Sequence, residues 1–249
     1  MDKVIKITLG LFIIIMIAFV SFYGYNAYVS QKFATTSSTT TSYSFTILTD
    51  SVLTNVTIFI PVPADPGGNS PVIARISRQD ISGLPAGWQT TLFDSGKGTM
   101  VKITTPSINP PAGSVPGARY ENTFTINTTT KALEDTRSPV DNSMMFRPIQ
   151  NLKSVQCPAE ISTLTGSPEC YEYLTTVYAS YDTSPDTTVI IKSSLDVKNE
   201  WTIFSPEYSE YRTDLFLLMF GNNHGWIPIR GSLITGLGKP TPTSAPIQG

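Results

Sequence analysis

Apolar residues follow two regimes along this chain. Residues 4–25 are apolar almost throughout, and 9–20 carry no charge. Farther on, apolar positions alternate with Thr, Ser and Lys. Val56, Ile58 and Ile60 alternate with Thr57 and Phe59, and Val101 and Ile103 with Lys102 and Thr104, the period-2 signature of strands with one buried face. Residues 88–105 read as a hairpin: Thr-rich, β-branched arms flank Asp94-Ser95-Gly96-Lys97-Gly98, whose glycines supply the positive φ of a tight reversal. A second hairpin is expected over 171–196, with arms 171–181 and 187–195 around Asp182-Thr183-Ser184-Pro185-Asp186. Further strands are expected at 43–49, 72–77, 119–127, 201–204, 212–220 and 226–235. About ten short strands with turn signals between them, and no amphipathic helix, predict a mainly β chain. The expected fold is an immunoglobulin-like antiparallel β-sandwich with a Greek key. Residues 133–154 break the rhythm and read as a long crossover, with Met144-Met145-Phe146 plugged into the sandwich edge.

The N-terminal run spans ~33 Å as a helix, at ~1.5 Å per residue, and so matches a hydrocarbon core of ~30 Å. Lys3 and Lys6 lie at its start and only Lys32 follows closely, which places the N-terminus in the cytoplasm. A cleaved signal peptide is the competing reading. The exit Ser21-Phe22-Tyr23-Gly24-Tyr25-Asn26-Ala27-Tyr28 is aromatic where a peptidase needs small side chains. Residues 1–28 are therefore expected as a single transmembrane signal anchor that meets lipid through 4–25, with Tyr23, Tyr25 and Tyr28 as an aromatic belt. Residues 29–42, with the hydroxyl run 35–42, read as a Ser/Thr-rich linker. The β domain is expected over 43–238, outside the cytoplasm, followed by a disordered, Pro-rich tail at 239–249.

Composition narrows the chemistry. The 249 residues hold 17 Lys+Arg against 19 Asp+Glu, a net charge of -2, which leaves no basic surface for nucleic acid. Cys157 and Cys170 are expected as a disulfide, because an exported chain meets an oxidising compartment; a closed ring of about 14 residues removes ~3 kcal/mol of chain entropy from the unfolded state. Asn55 and Asn127 head Asn-x-Thr sequons and are the glycosylation candidates. With one histidine, His-pair zinc sites are excluded. His224, in Gly221-Asn222-Asn223-His224-Gly225, reads as a turn residue; a triad with a distant Ser and Asp stays open, although Ser232 lacks the second glycine of a nucleophile elbow. Gly96-Lys97-Gly98 lacks the spacing of a phosphate loop. Glu134, Asp135 and Asp141, or Asp182 and Asp186, are oxygen donors for calcium only if more ligands join them; turn formation is the simpler role.

Aromatic residues are concentrated in the last third, at Tyr171, Tyr173, Tyr178, Tyr181, Trp201, Tyr208, Tyr211 and Trp226. Most are expected in the core, with Tyr178, Tyr208 and Tyr211 offered as a binding surface.

The words Asp135-Thr136-Arg137-Ser138-Pro139, Tyr171-Glu172-Tyr173 after the cysteine pair, Tyr181-Asp182-Thr183-Ser184-Pro185, Asn199-Glu200-Trp201 and His224-Gly225-Trp226 together resemble a family of uncharacterised archaeal cell-envelope proteins. The resemblance covers roughly the second half. It implies one N-terminal membrane helix and an exported β-rich domain, and it transfers no catalytic residue. The resulting expectation is a non-enzymatic, single-pass membrane protein with no cofactor and no metal. Its partner is expected to be a surface-layer or membrane-complex protein, or a second copy. A carbohydrate-binding module is the alternative, and an extracytoplasmic hydrolase with a deep polar cleft the third reading.

Overall fold

The computed structural model describes residues 2–96, 98–111 and 118–242. The chain opens with helix α1 (Asp2–Thr36), then strands β1 (Ser38–Thr49) and β2 (Leu53–Pro61), the short helix α2 (Pro71–Ser77), and strands β3 (Gln89–Asp94), β4 (Thr99–Ile108) and β5 (Tyr120–Thr130). A crossover carries α3 (Pro139–Asn142), β6 (Gln150–Val155) and α4 (Ala159–Ser162). Four long strands close the fold: β7 (Gly166–Asp182), β8 (Thr188–Thr202), β9 (Pro206–Phe220) and β10 (Asn223–Gly238).

α1 is long and apolar enough to cross a membrane, and none of its most apolar window is buried within the molecule. The hydroxyl run expected as a linker is structured instead. Thr35 and Thr36 end the helix, where Thr36 Oγ1 donates back to the Lys32 carbonyl at 2.7 Å, and Ser38 already opens β1. Thr39 and Thr41 point inward and are buried. A run without apolar residues therefore still alternates between two faces.

The remaining architecture is mainly β and antiparallel, as expected, but the strands form one curled sheet rather than two aligned ones. The order is β3-β4-β2-β7-β10-β9-β8-β1-β5, with β6 added beside β7. The hairpin over 88–105 forms as expected, β3 pairing with β4. The one expected over 171–196 does not: β7 pairs with β10 and β2, while β8 pairs with β9 and β1. Thus β8, β9 and β10 follow each other as hairpins and β10 returns beside β7, an ordering of Greek-key kind.

The two end strands, β3 and β5, face each other across α2, which packs against both. Residues 72–77 were expected as a strand and are this helix instead. Ser70 caps it, its hydroxyl accepting the Val72 N–H at 3.1 Å, and Pro71 occupies the first turn where its missing N–H costs nothing. Beyond α2, Ser82 and Thr125 exchange backbone hydrogen bonds at 3.1 and 2.8 Å, which covers part of the β5 edge.

The concave face buries alternate residues of every long strand, among them Phe45, Ile58, Ile103, Phe124, Val177, Ile191, Leu215 and Leu233. Met144, Met145 and Phe146 fill the interior of the curl with them, a deeper position than the expected edge. Asn199, fully buried, holds this crossover in place. Its amide oxygen accepts from Glu134 N at 3.1 Å and Thr39 Oγ1 at 2.6 Å, and its amide nitrogen donates to Glu134 O at 2.8 Å and Ser209 Oγ at 3.2 Å. Cys157 and Cys170 are bonded, Cα to Cα 5.2 Å, and fasten the crossover's far end to β7. Of the tail, residues 239–242 are described, and Lys239 donates its N–H to Tyr208 O at 2.8 Å; the rest lies outside the described residues.

Gly231 sits beneath the Tyr173 ring, whose atoms would lie 2.3 to 2.7 Å from an added Cβ. Tyr173 is buried and bonded through its hydroxyl to Thr213 at 2.8 Å. Gly231→Ala is therefore expected to displace the ring and cost about 1–3 kcal/mol of stability, measured by chemical denaturation.

Candidate functional site

Alternation puts a second set of side chains on the convex face. At the end of the sheet far from α1, Phe59 lies at the centre of an aromatic group. Its ring centroid is 5.2 Å from Phe93, 5.3 Å from Tyr178 and 6.1 Å from Trp226, and Tyr178 and Trp226 are 5.5 Å apart. Register explains the grouping: Phe59 is opposite Lys102 on one side and Tyr178 on the other, and Tyr178 is opposite Trp226. Lys102 places its ammonium 5.8 Å above the Phe59 ring, a cation–π contact. With Thr57 and Ser180 these groups line a shallow depression of 320 Å³.

On β9, Phe216, Leu218 and Phe220 also point outward. Phe220 is 66% exposed and Trp226 53%. Toward this end the two arms of the β9–β10 hairpin follow different neighbours. Their ladder runs from Arg230/Phe216 toward α1, and Pro228, with no N–H to donate, lies beyond it. Phe220 stays paired with Thr188 on β8 and Trp226 with Tyr178 on β7. Cations border the patch: Lys192 lies 5.9 Å over the Phe216 ring, and Arg230 pairs with Glu172 at 3.4 Å.

Beside the aromatic group, the structure joins three residues that the sequence left separate. Ser180 Oγ is 2.9 Å from His224 Nδ1, and His224 Nε2 is 3.2 Å from Asp182 Oδ1. Ser180 and His224 are register partners on β7 and β10, and Asp182 follows two residues on, hence on the same face. The carboxylate orients the imidazole: an Nε2–H given to Asp182 leaves Nδ1 to accept from the serine hydroxyl. Asn55 Nδ2 holds the other Asp182 oxygen at 2.8 Å. This order of groups is that of a serine nucleophile, its base and the base's orienting acid. The setting is open, however: the His224 and Asp182 side chains are 56% and 45% exposed. Ser180 sits in a strand flanked by β2 and β10, so its peptide groups serve the ladders.

No protein-family model, curated protein or solved structure matches this chain.

The surface expected from Tyr178, Tyr208 and Tyr211 does not assemble. Tyr211 is fully buried, its hydroxyl donating to Met144 O at 2.7 Å, and belongs to the core. Tyr208 is exposed at the α1 end of β9, under the Lys198 ammonium at 5.0 Å, while Tyr178 belongs to the far patch. Tyr208 and Tyr211 are three apart in one strand and so face opposite sides, a signal already present in the sequence. Both sequon asparagines are exposed, Asn55 in a left-handed turn of β2 and Asn127 on the outer strand β5. Among the described residues no three His, Cys, Asp or Glu side chains are grouped to hold a metal. Asp135 instead closes a turn, Oδ1 accepting from Arg137 N and Ser138 N at 2.9 Å each.

A larger hollow of 820 Å³ opens on the concave side between α2 and the crossover, lined by Asp65, Ser70, Ile73, Glu134, Asp135 and Met144. Burial raises the Glu134 carboxyl above its ordinary value, opposed by a Ser143 hydrogen bond and reinforced by Asp65 and Asp135. The folded state thus favours the protonated acid. The stability this confers is present below the ordinary carboxylate range and lost as pH rises through the elevated folded value. Glu134→Gln, which stays neutral, is expected to raise the melting temperature at pH ~7 and to leave it unchanged near pH ~3.

Proposed function

We propose that this chain is a single-pass membrane protein of the cell envelope whose outer β domain captures a protein partner and catalyses nothing. The observation that carries this reading is the convex face, where Phe59, Phe93, Tyr178 and Trp226 form one aromatic group and β9 exposes Phe216, Leu218 and Phe220. Soluble domains seldom leave so many large apolar side chains together in water, and such patches mark interaction sites. Aromatic anchors ringed by cations are the composition of an interface core, where one or two rings carry most of the affinity.

The anchor side of the reading rests on α1, whose most apolar window has no protein over it. Lys3 and Lys6 at its start favour a cytoplasmic N-terminus and an extracytoplasmic β domain. The Cys157–Cys170 bond suits that compartment. A glycan is the weaker occupant of the patch, because sugar platforms use flat rings lying side by side. Here Phe59 and Tyr178 meet at 86° and Tyr178 and Trp226 at 66°, so the rings present edges as much as faces.

The test is co-purification of the full chain from its native membrane with Trp226→Ala and Phe220→Ala. Each change is expected to cost about 2 kcal/mol of partner affinity, roughly 30-fold, with the melting temperature nearly unchanged. A partner retained undiminished by the double variant would remove the patch from the reading, and polysaccharide retention lost with Trp226 would make the ligand a sugar.

The Ser180–His224–Asp182 chain favours a second reading, an acyl hydrolase working beside the aromatic depression. Its weakness is the lack of an obvious oxyanion site on a strand whose N–H groups are committed. Turnover of an activated ester that falls at least 100-fold in both Ser180→Ala and His224→Ala, with folding intact, would establish it; equal hydrolysis by all three chains would dismiss it.

A further inference from the structure

The β8–β9 hairpin continues past the foot of the sheet and runs back along α1. Thr36 Oγ1 lies 2.9 Å from Thr202 O and 3.0 Å from Thr202 N; next along, the buried Phe33 ring meets Trp201 at 5.9 Å. At the tip, the Phe204 ring is 6.2 Å from Tyr25, nearly parallel at 15°, and 6.3 Å from Tyr28. These contacts hold the tip at the level of Tyr25, ~16 Å down the helix from Thr36. Phe204 is nevertheless 69% exposed, more than any other aromatic ring of the β domain among the described residues.

The helix sequence says what surrounds that level. Lys6 is the last charge before the apolar stretch, and Asn26 begins the polar exit, followed by Ser30, Gln31 and Lys32. Residues 7–25 lie between, about 19 positions and ~28 Å, against a hydrocarbon core of ~30 Å. Tyr25 therefore falls at the outer boundary, and a ring stacked on it falls there too. The tip is built for that depth. Thr202, Ile203, Phe204, Ser205 and Pro206 carry no charge, and the flanking charges are paired one step back, Lys198 with Glu200 at 2.7 Å and Lys239 with Glu207 at 2.6 Å.

We propose that Ile203 and Phe204 form a second membrane contact, seated in the headgroup region of the bilayer that α1 crosses. The inference rests on α1 spanning that bilayer. Tyr25 and Tyr28 suit this region because their rings meet acyl chains while their hydroxyls stay near water, and the wholly apolar Ile203 and Phe204 beside them reach the headgroup/acyl boundary. Two points of attachment, helix and hairpin tip, limit the tilt of the β domain against the bilayer, which one helix alone leaves free.

The two native cysteines are bonded to each other, so Ser205→Cys gives one reactive thiol beside an intact Phe204. The full chain, labelled there with an environment-sensitive fluorophore, is reconstituted into phosphatidylcholine vesicles carrying nitroxide at the headgroup. Phe220→Cys, at the far end of the sheet, is the reference. The label at 205 is expected to be quenched several-fold more than the label at 220, and Phe204→Asp or Phe204→Ser in the Ser205→Cys chain to abolish most of the difference while circular dichroism is unchanged. Equal quenching at 205 and 220 in a chain that floats with the vesicles overturns the seat alone. A chain that fails to float overturns the membrane anchor and the seat with it.

Discussion

A single sheet that curls must find something to fill its concave side, and in this protein the filling comes from the crossover. Met144, Met145 and Phe146 occupy the interior, and the Asn199 amide ties their segment to β1, β8 and β9 with its oxygen and nitrogen both satisfied. A buried amide left unpaired is costly, so this group is stable only when the crossover is seated. The inward side chains of the curl pack on that seated segment, while the outward aim of the convex set follows from strand alternation. Tyr211, whose hydroxyl reaches Met144 O, reinforces the same attachment from β9.

The division between inner and outer faces then assigns the roles. On β9, Leu215 and Met219 are buried while Phe216, Leu218 and Phe220 are exposed. A strand apolar on both faces is covered on both or carries an interaction surface on one. The α1 end shows the opposite arrangement. Trp201 is buried against Phe33, and the hairpin tip beyond it is open.

Much of the β pattern was legible from the chain. Alternation at Val56-Ile60 and Val101-Ile103 marked β2 and β4, and the glycines near residue 96 marked the turn beside them. Alternation is silent on pairing, however: the same turn residues at 182–186 join two strands that separate to distant places in the sheet. Hydroxyl residues hid the start of β1, because Thr39 and Thr41 face inward without being apolar. Ser70 and Pro71 formed a helix cap where the β-branched Val72 and Ile73 suggested a strand. The Ser180–His224–Asp182 chain depends on the β7–β10 register, which spans 44 positions between Ser180 and His224, and no local pattern encodes it. The parity of Tyr208 and Tyr211, by contrast, was available and pointed to opposite faces.

The junction between α1 and β1 leaves only Ser37 outside regular structure. β1 is an interior strand, paired along its length with β5 on one side and β8 on the other. Tension applied between α1 and the far end of the domain would enter through β1 along its own axis. Both ladders would then be loaded in shear, with their hydrogen bonds resisting together instead of opening one by one. The attachment is in this sense a mechanical coupling: a pull between α1 and the far end of the domain is carried without first peeling the sheet apart.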